Sequence, residues 1–83
     1  MIPQNEMLVK MVSVDAETFE AVGYVIKGKQ LYIKFRTSQP LVFHNVPGFR
    51  YDGLLAAPRK DAYFETFIKN FFVSKPAELS RMA

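Results

Sequence analysis

Between residues 21 and 36, apolar side chains fall at every second position on either side of Gly28-Lys29, the spacing of two half-buried strands joined by a tight turn. Glycine at the first central position suits a type II′ hairpin. That turn sets Ile26 opposite Leu31, Tyr24 opposite Ile33 and Val22 opposite Phe35, which makes one face of the ribbon wholly apolar. Thr37-Ser38-Gln39 reads as the next loop and places Leu41 and Phe43 opposite Phe35 and Ile33, with Pro40 tolerated at the start of an edge strand. The other face then carries Val25, Tyr32, Lys34, Arg36, Val42 and His44, a mixture of basic and aromatic groups. Upstream, Leu8, Val9, Met11, Val12 and Val14 form a short apolar segment closed by the polar cluster Asp15-Ala16-Glu17-Thr18.

After Val46 the period changes. Pro47 suits the first position of a helix on which Tyr51, Leu54 and Leu55 share a face, and Pro58 ends that helix at Ala57. Gly48 and Gly53 each weaken it by roughly 1 kcal/mol relative to alanine, so packing has to hold it. A second helix is expected from Lys60 to Phe72, with Phe64, Phe67, Ile68, Phe71 and Phe72 on its apolar stripe. The pattern predicts an α+β fold: a three- or four-stranded antiparallel meander packed against two C-terminal helices. Residues 8–72 form one domain in this reading, residues 1–7 a flexible N-terminus and residues 73–83 a loosely ordered tail.

Composition fixes the class rather than the role. At 83 residues there is room for one core, and 49% hydrophobic residues with a net charge of +3 are incompatible with a disordered chain. The absence of cysteine removes disulfides, thiolate metal sites and cysteine nucleophiles together. No apolar run approaches the roughly 18 residues of a membrane helix, and no basic-then-apolar leader opens the chain, so a cytoplasmic location is expected. The charge is unevenly placed. The first 22 residues carry Glu6, Asp15, Glu17 and Glu20 against Lys10, whereas residues 27 to 44 carry Lys27, Lys29, Lys34 and Arg36 and no acid.

The order of the pieces is also informative. A Val-Ser segment, Ala21-Val22-Gly23-Tyr24, Leu31-x-Ile33-x-Phe35, Val46-Pro47 leading to Tyr51-x-Gly53-Leu54-Leu55-x-Ala57, then Tyr63-Phe64 and Ile68-Lys69 together resemble the KTSC domain over about Met11 to Phe72. That family takes its name from the C-terminus of some lysyl-tRNA synthetases and also occurs as single-domain bacterial and phage proteins. The resemblance implies a small domain for which RNA binding has been proposed. Two departures stand out. The family's central Tyr-x-Tyr aligns with Leu41-Val42-Phe43, which keeps the apolar packing and loses both hydroxyls, and its Ser-x-Gly before the second helix aligns with Arg59-Lys60-Asp61.

For chemistry the residues offer little beyond binding. His44 is the one histidine, the acids are scattered, and no Gly-x-Ser-x-Gly elbow or Gly-rich phosphate loop is present. A Ser–His pair drawing on Ser13 or Ser38 is the remote enzymatic alternative; no catalytic residue, metal or cofactor is otherwise expected. The leading expectation is weak binding of RNA or single-stranded nucleic acid. In it Tyr32, Lys34, Arg36 and His44 form a stacking face, and Lys27, Lys29, Arg59 and Lys60, joined by Arg50, contact phosphates. The alternative is a protein-interaction module that docks on transcription or translation machinery through Phe49 and Phe72, because each adjoins residues already turned inward and one helix cannot bury every side.

Overall fold

The computed structural model describes residues 8–82, and the expected flexibility of residues 1–7 lies outside that range. Five strands form one antiparallel sheet in chain order: β1 (Val12–Ser13), β2 (Phe19–Val25), β3 (Gln30–Phe35), β4 (Leu41–Phe43) and β5 (Ser74–Pro76). Between β4 and β5 the chain makes two helices, α1 (Gly48–Ala56) and α2 (Lys60–Phe67). They pack on the inner sheet face over Phe19, Val22, Leu31, Ile33, Phe43, Val46, Leu54, Phe64 and Ile68, all buried. The rings of Phe19, Phe35 and Phe43 each meet Phe64 at centroid distances of 5.6–5.8 Å, or one another edge-on, as aromatic quadrupoles prefer. The α+β meander with two helices is the expected fold, with more strands than the sequence pattern gave.

The hairpin register differs from expectation by two residues. Tyr24 pairs with Leu31 and Val22 with Ile33, because the connection is the wider Ile26–Lys29 turn rather than Gly28-Lys29 alone. Lys29 N–H donates to the Ile26 carbonyl, and both Gly28 (φ 92°) and Lys29 (φ 52°) take left-handed backbone conformations. The Lys29 carbonyl is thereby free to accept the Val46 N–H at 2.9 Å, tying the hairpin tip to the entry of α1. A slip of two residues keeps every side chain on its own face. Only Ile26 changes role; it is 83% exposed instead of inward. The β3–β4 register slips likewise, with Phe43 opposite Leu31 and Leu41 opposite Ile33. At the start of β2 a bulge between Phe19 and Ala21 inserts one extra residue, so Glu20 and Ala21 both turn outward while Phe19 and Val22 stay in the core.

Two expectations about the C-terminal third are overturned. Helix α2 stops at Phe67, where Ile68 and Lys69 N–H both donate to the Phe64 carbonyl and Ile68 leaves helical geometry (φ −122°). The turn that follows keeps Ile68 in the core, leaves Phe71 69% exposed, and lays Phe72 half-buried against the core instead of presenting it outward. Residues beyond Val73 are not a loose tail: Ser74–Pro76 pairs with β4, with Pro76 on the sheet edge where a missing N–H is tolerated. The chain then returns across the outer sheet face, and Met82 bridges to Val9.

That return closes the face the sequence left open. Val9, Tyr32 and Val42 are buried there, flanked by Met11, Val25, Ala77 and Met82. Gly23 makes the crossing feasible, since a Cβ at this position would lie 2.8 Å from Val9 Cγ1 and 2.9 Å from the Lys10 carbonyl oxygen.

Candidate interaction surface

Of the four residues expected to form a stacking face, Tyr32 is covered, Lys34 and Arg36 have a carboxylate neighbour, and His44 is half-buried. Tyr32 is 6% exposed beneath the crossing chain ends, so its ring offers no free surface. The β2 bulge directs Glu20 at the neighbouring cations: Lys34 Nζ lies 3.2 Å from Glu20 Oε2, and Arg36 Nη1 lies 4.0 Å from Oε1. Arg36 Nε also donates to the Ala16 carbonyl at 3.1 Å. His44 is half-buried, its Nε2 has no hydrogen-bond partner among the described residues, and neither Ser13 nor Ser38 reaches it to form a Ser–His pair. The sequence reading missed Glu20 as the shared neighbour of Lys34 and Arg36 because strict alternation gives no sign of the bulge.

The second basic group does not assemble either. Lys27 and Lys29 sit at the hairpin tip beside the start of α1, whereas Arg59 and Lys60 sit beyond the end of α1, next to the β1–β2 loop. The whole of β2 separates the pairs. Arg59 and Lys60 border a notch of about 350 Å³ shared with Asp15, Glu17 and Asp61, so the local charge is mixed. Lys60 Nζ donates to the Ala57 carbonyl at 2.9 Å, closing the end of α1. Asp61, in the first turn of α2, accepts from the backbone N–H of Glu17 (2.6 Å) and of Thr18 (3.0 Å) and from the Thr18 hydroxyl. Partial burial pushes its pKa up, but these donors stabilise the carboxylate more and hold it below the ordinary value.

The helical layer is different in kind. Gly53 of α1 lies against the Tyr63 ring of α2, where a Cβ would come within 2.7 Å of Tyr63 Cζ, so the helices approach closely at mid-length. Near the start of α1 and the end of α2, the Arg50 guanidinium lies 5.1 Å from the Phe49 ring centroid and 4.6 Å from that of Phe67. The Tyr63 ring stands 4.8 Å from Phe67. Phe49 is 65% and Phe67 37% exposed, while Arg50 and Tyr63 are half-buried, so the cluster is open on the Phe49 side. On the sheet side of α1, Tyr24 and Tyr51 stack at 5.2 Å and 14°, and the Tyr24 hydroxyl donates to the Val46 carbonyl. Burial and then the nearby Asp52 charge raise both phenol pKa values above the ordinary one.

Further round the inner face, a groove of about 540 Å³ is floored by Phe35, Leu41, Phe43 and Phe64. Among the described residues no group of His, Asp or Glu side chains could hold a metal ion, and no helix is long and apolar enough to cross a membrane.

A five-stranded antiparallel meander with a helical pair on one face and Val9, Met11, Ala77 and Met82 on the other defines a small α+β domain. Residues 16–72 match the KTSC domain, and the chain belongs to that family. The fold is similar to that of a KTSC domain protein from Yersinia pestis known from its crystal structure. The TM-score is 0.79 at 22% identity, over 82% of this chain and 96% of that one. No curated protein matches the chain. The matched span begins after β1 and ends before β5, so the segments that cover Tyr32 come from outside it.

Proposed function

We propose that this KTSC domain is a non-enzymatic binding module that docks on another protein through its helical layer. One observation carries the reading: Phe49 and Phe67 stand exposed around Arg50, while the sheet face that would receive nucleic acid has Tyr32 buried and Lys34 and Arg36 held by Glu20. Aromatic residues and arginine are the side chains that dominate the energetics of protein interfaces. Base stacking needs an uncovered ring, and the one tyrosine of the outer sheet face, Tyr32, is buried. A partner in the translation machinery would fit the family's occurrence at the C-terminus of some lysyl-tRNA synthetases, and a cytoplasmic setting would follow from that.

Affinity capture from a cell lysate, with and without nuclease, tests the reading. A partner retained after nuclease and lost on Phe49→Ser is expected. Capture that disappears with nuclease, or a single-stranded RNA complex abolished by Lys27→Ala plus Lys29→Ala, contradicts it and returns nucleic acid as the ligand.

A further inference from the structure

We infer that Arg50 reads a carboxylate, and that the partner segment is an acidic peptide with an apolar side chain next to its acid; the inference rests on the docking reading above. The guanidinium is flanked by two rings, Phe49 at 5.1 Å and Phe67 at 4.6 Å. Both rings lie within cation–π distance of the guanidinium carbon and accept no conventional hydrogen bond, so the N–H fork remains available to match a carboxylate with two parallel hydrogen bonds.

Nothing within the helical layer already fills that fork. Asp61 is occupied by Glu17 and Thr18, Glu65 lies 3.5 Å from Lys69 Nζ, and Asp52 lies beside Tyr24 and Tyr51. Among the described residues, no acid forms an ion pair with Arg50 and no acceptor takes a hydrogen bond from its side chain. Contact with two rings also restricts the arginine before binding, so less side-chain entropy is lost when the acid arrives.

The surroundings select the rest of the ligand. Phe49 and Phe67 offer apolar surface directly beside the charge. A single unpaired cation between two rings suits one carboxylate with an adjacent apolar group. A run of phosphates instead requires several cations along a track. Lys69 is held by Glu65, and Lys27 and Lys29 belong to the hairpin tip.

The test is an NMR titration of the isotope-labelled full chain with two blocked tetrapeptides, acetyl-Leu-Glu-Phe-Leu-amide and its Gln counterpart. The acidic peptide is expected to shift the Arg50 Nε–H and the Phe49 and Phe67 ring signals and to bind about tenfold more tightly than the neutral one. Arg50→Gln should erase that difference. Arg50→Lys, which keeps the charge and loses the fork, should recover only part of it. Equal affinity for the two peptides overturns the carboxylate inference and leaves protein docking standing. Shifts at Arg50 produced by a ten-nucleotide RNA and by neither peptide overturn both. If neither peptide shifts these signals, the inference fails, and the lysate capture with Phe49→Ser decides the docking reading on its own.

Discussion

Asp61 shows how one side chain can join distant parts of a small sheet. Its carboxylate gathers three donors from Glu17 and Thr18, anchoring the loop before β2 to the first turn of α2. Asp61→Ala is expected to lower unfolding free energy by about 1 kcal/mol, the low end for a charged acceptor because the site is partly solvated. The pH dependence has a definite sign. A carboxyl whose folded pKa is depressed stabilises the fold above its unfolded value, about 3.9, and that contribution is lost as pH falls through the folded value. Urea unfolding of the wild type and Asp61→Asn should therefore differ at pH 7, begin to approach each other below about pH 4, and converge only once the pH is under the depressed folded value. Gly23 is the other residue whose role is long-range. Gly23→Ala should cost roughly 1–3 kcal/mol, because the stiff Val9 side chain and the Lys10 backbone must both retreat, and amide exchange should quicken at residues 9–11. Neither role is legible in sequence, since Asp61 and Gly23 meet partners that only the folded chain brings to them.

At the scale of elements, alternation and period located β2, β3, β4 and both helices, and they sorted nearly every side chain onto the correct face. What they could not supply was where each connection begins. The Ile26–Lys29 turn and the five-residue link from Arg36 to Pro40 depend on the Val46 N–H, the Thr18 carbonyl and the Ala77 N–H, all remote in sequence. The same limit explains α2. The phenylalanines at 64, 67, 71 and 72 continue a helical stripe on paper, yet the helix ends once Ile68 is seated in the core. Truncation separates their roles. Phe72→Ala should cost about 1–2 kcal/mol and Ile68→Ala about 2–5 kcal/mol, whereas Phe71→Ala should stay within about 0.5 kcal/mol, all measured by chemical unfolding.

Over the whole molecule, two apolar layers share one sheet: a main core under the helices and a smaller one under the chain ends. The positive balance read from composition is divided among several separate places on the surface. Glu20 meets Lys34 and Arg36, the notch acids lie beside Arg59 and Lys60, and Arg50 lies against the rings of Phe49 and Phe67. Phe49 was legible because Tyr51, Leu54 and Leu55 already claim the inward face of α1. Arg50 was grouped with the other basic residues, since nothing local reveals that Phe67 returns beside it from the far end of α2. Removing residues 74–83 should destabilise the domain by several kcal/mol and render Tyr32 accessible to solvent quenchers, because both β5 and the cover over Tyr32 go with them.

The central claim is that the helical layer, and not the outer sheet face, meets the partner. A photo-reactive side chain placed at Phe49 in one variant and at Lys34 in another compares the two faces directly in cells. Nuclease-resistant protein adducts from position 49 and none from position 34 are predicted; RNA adducts concentrated at position 34 would contradict the account.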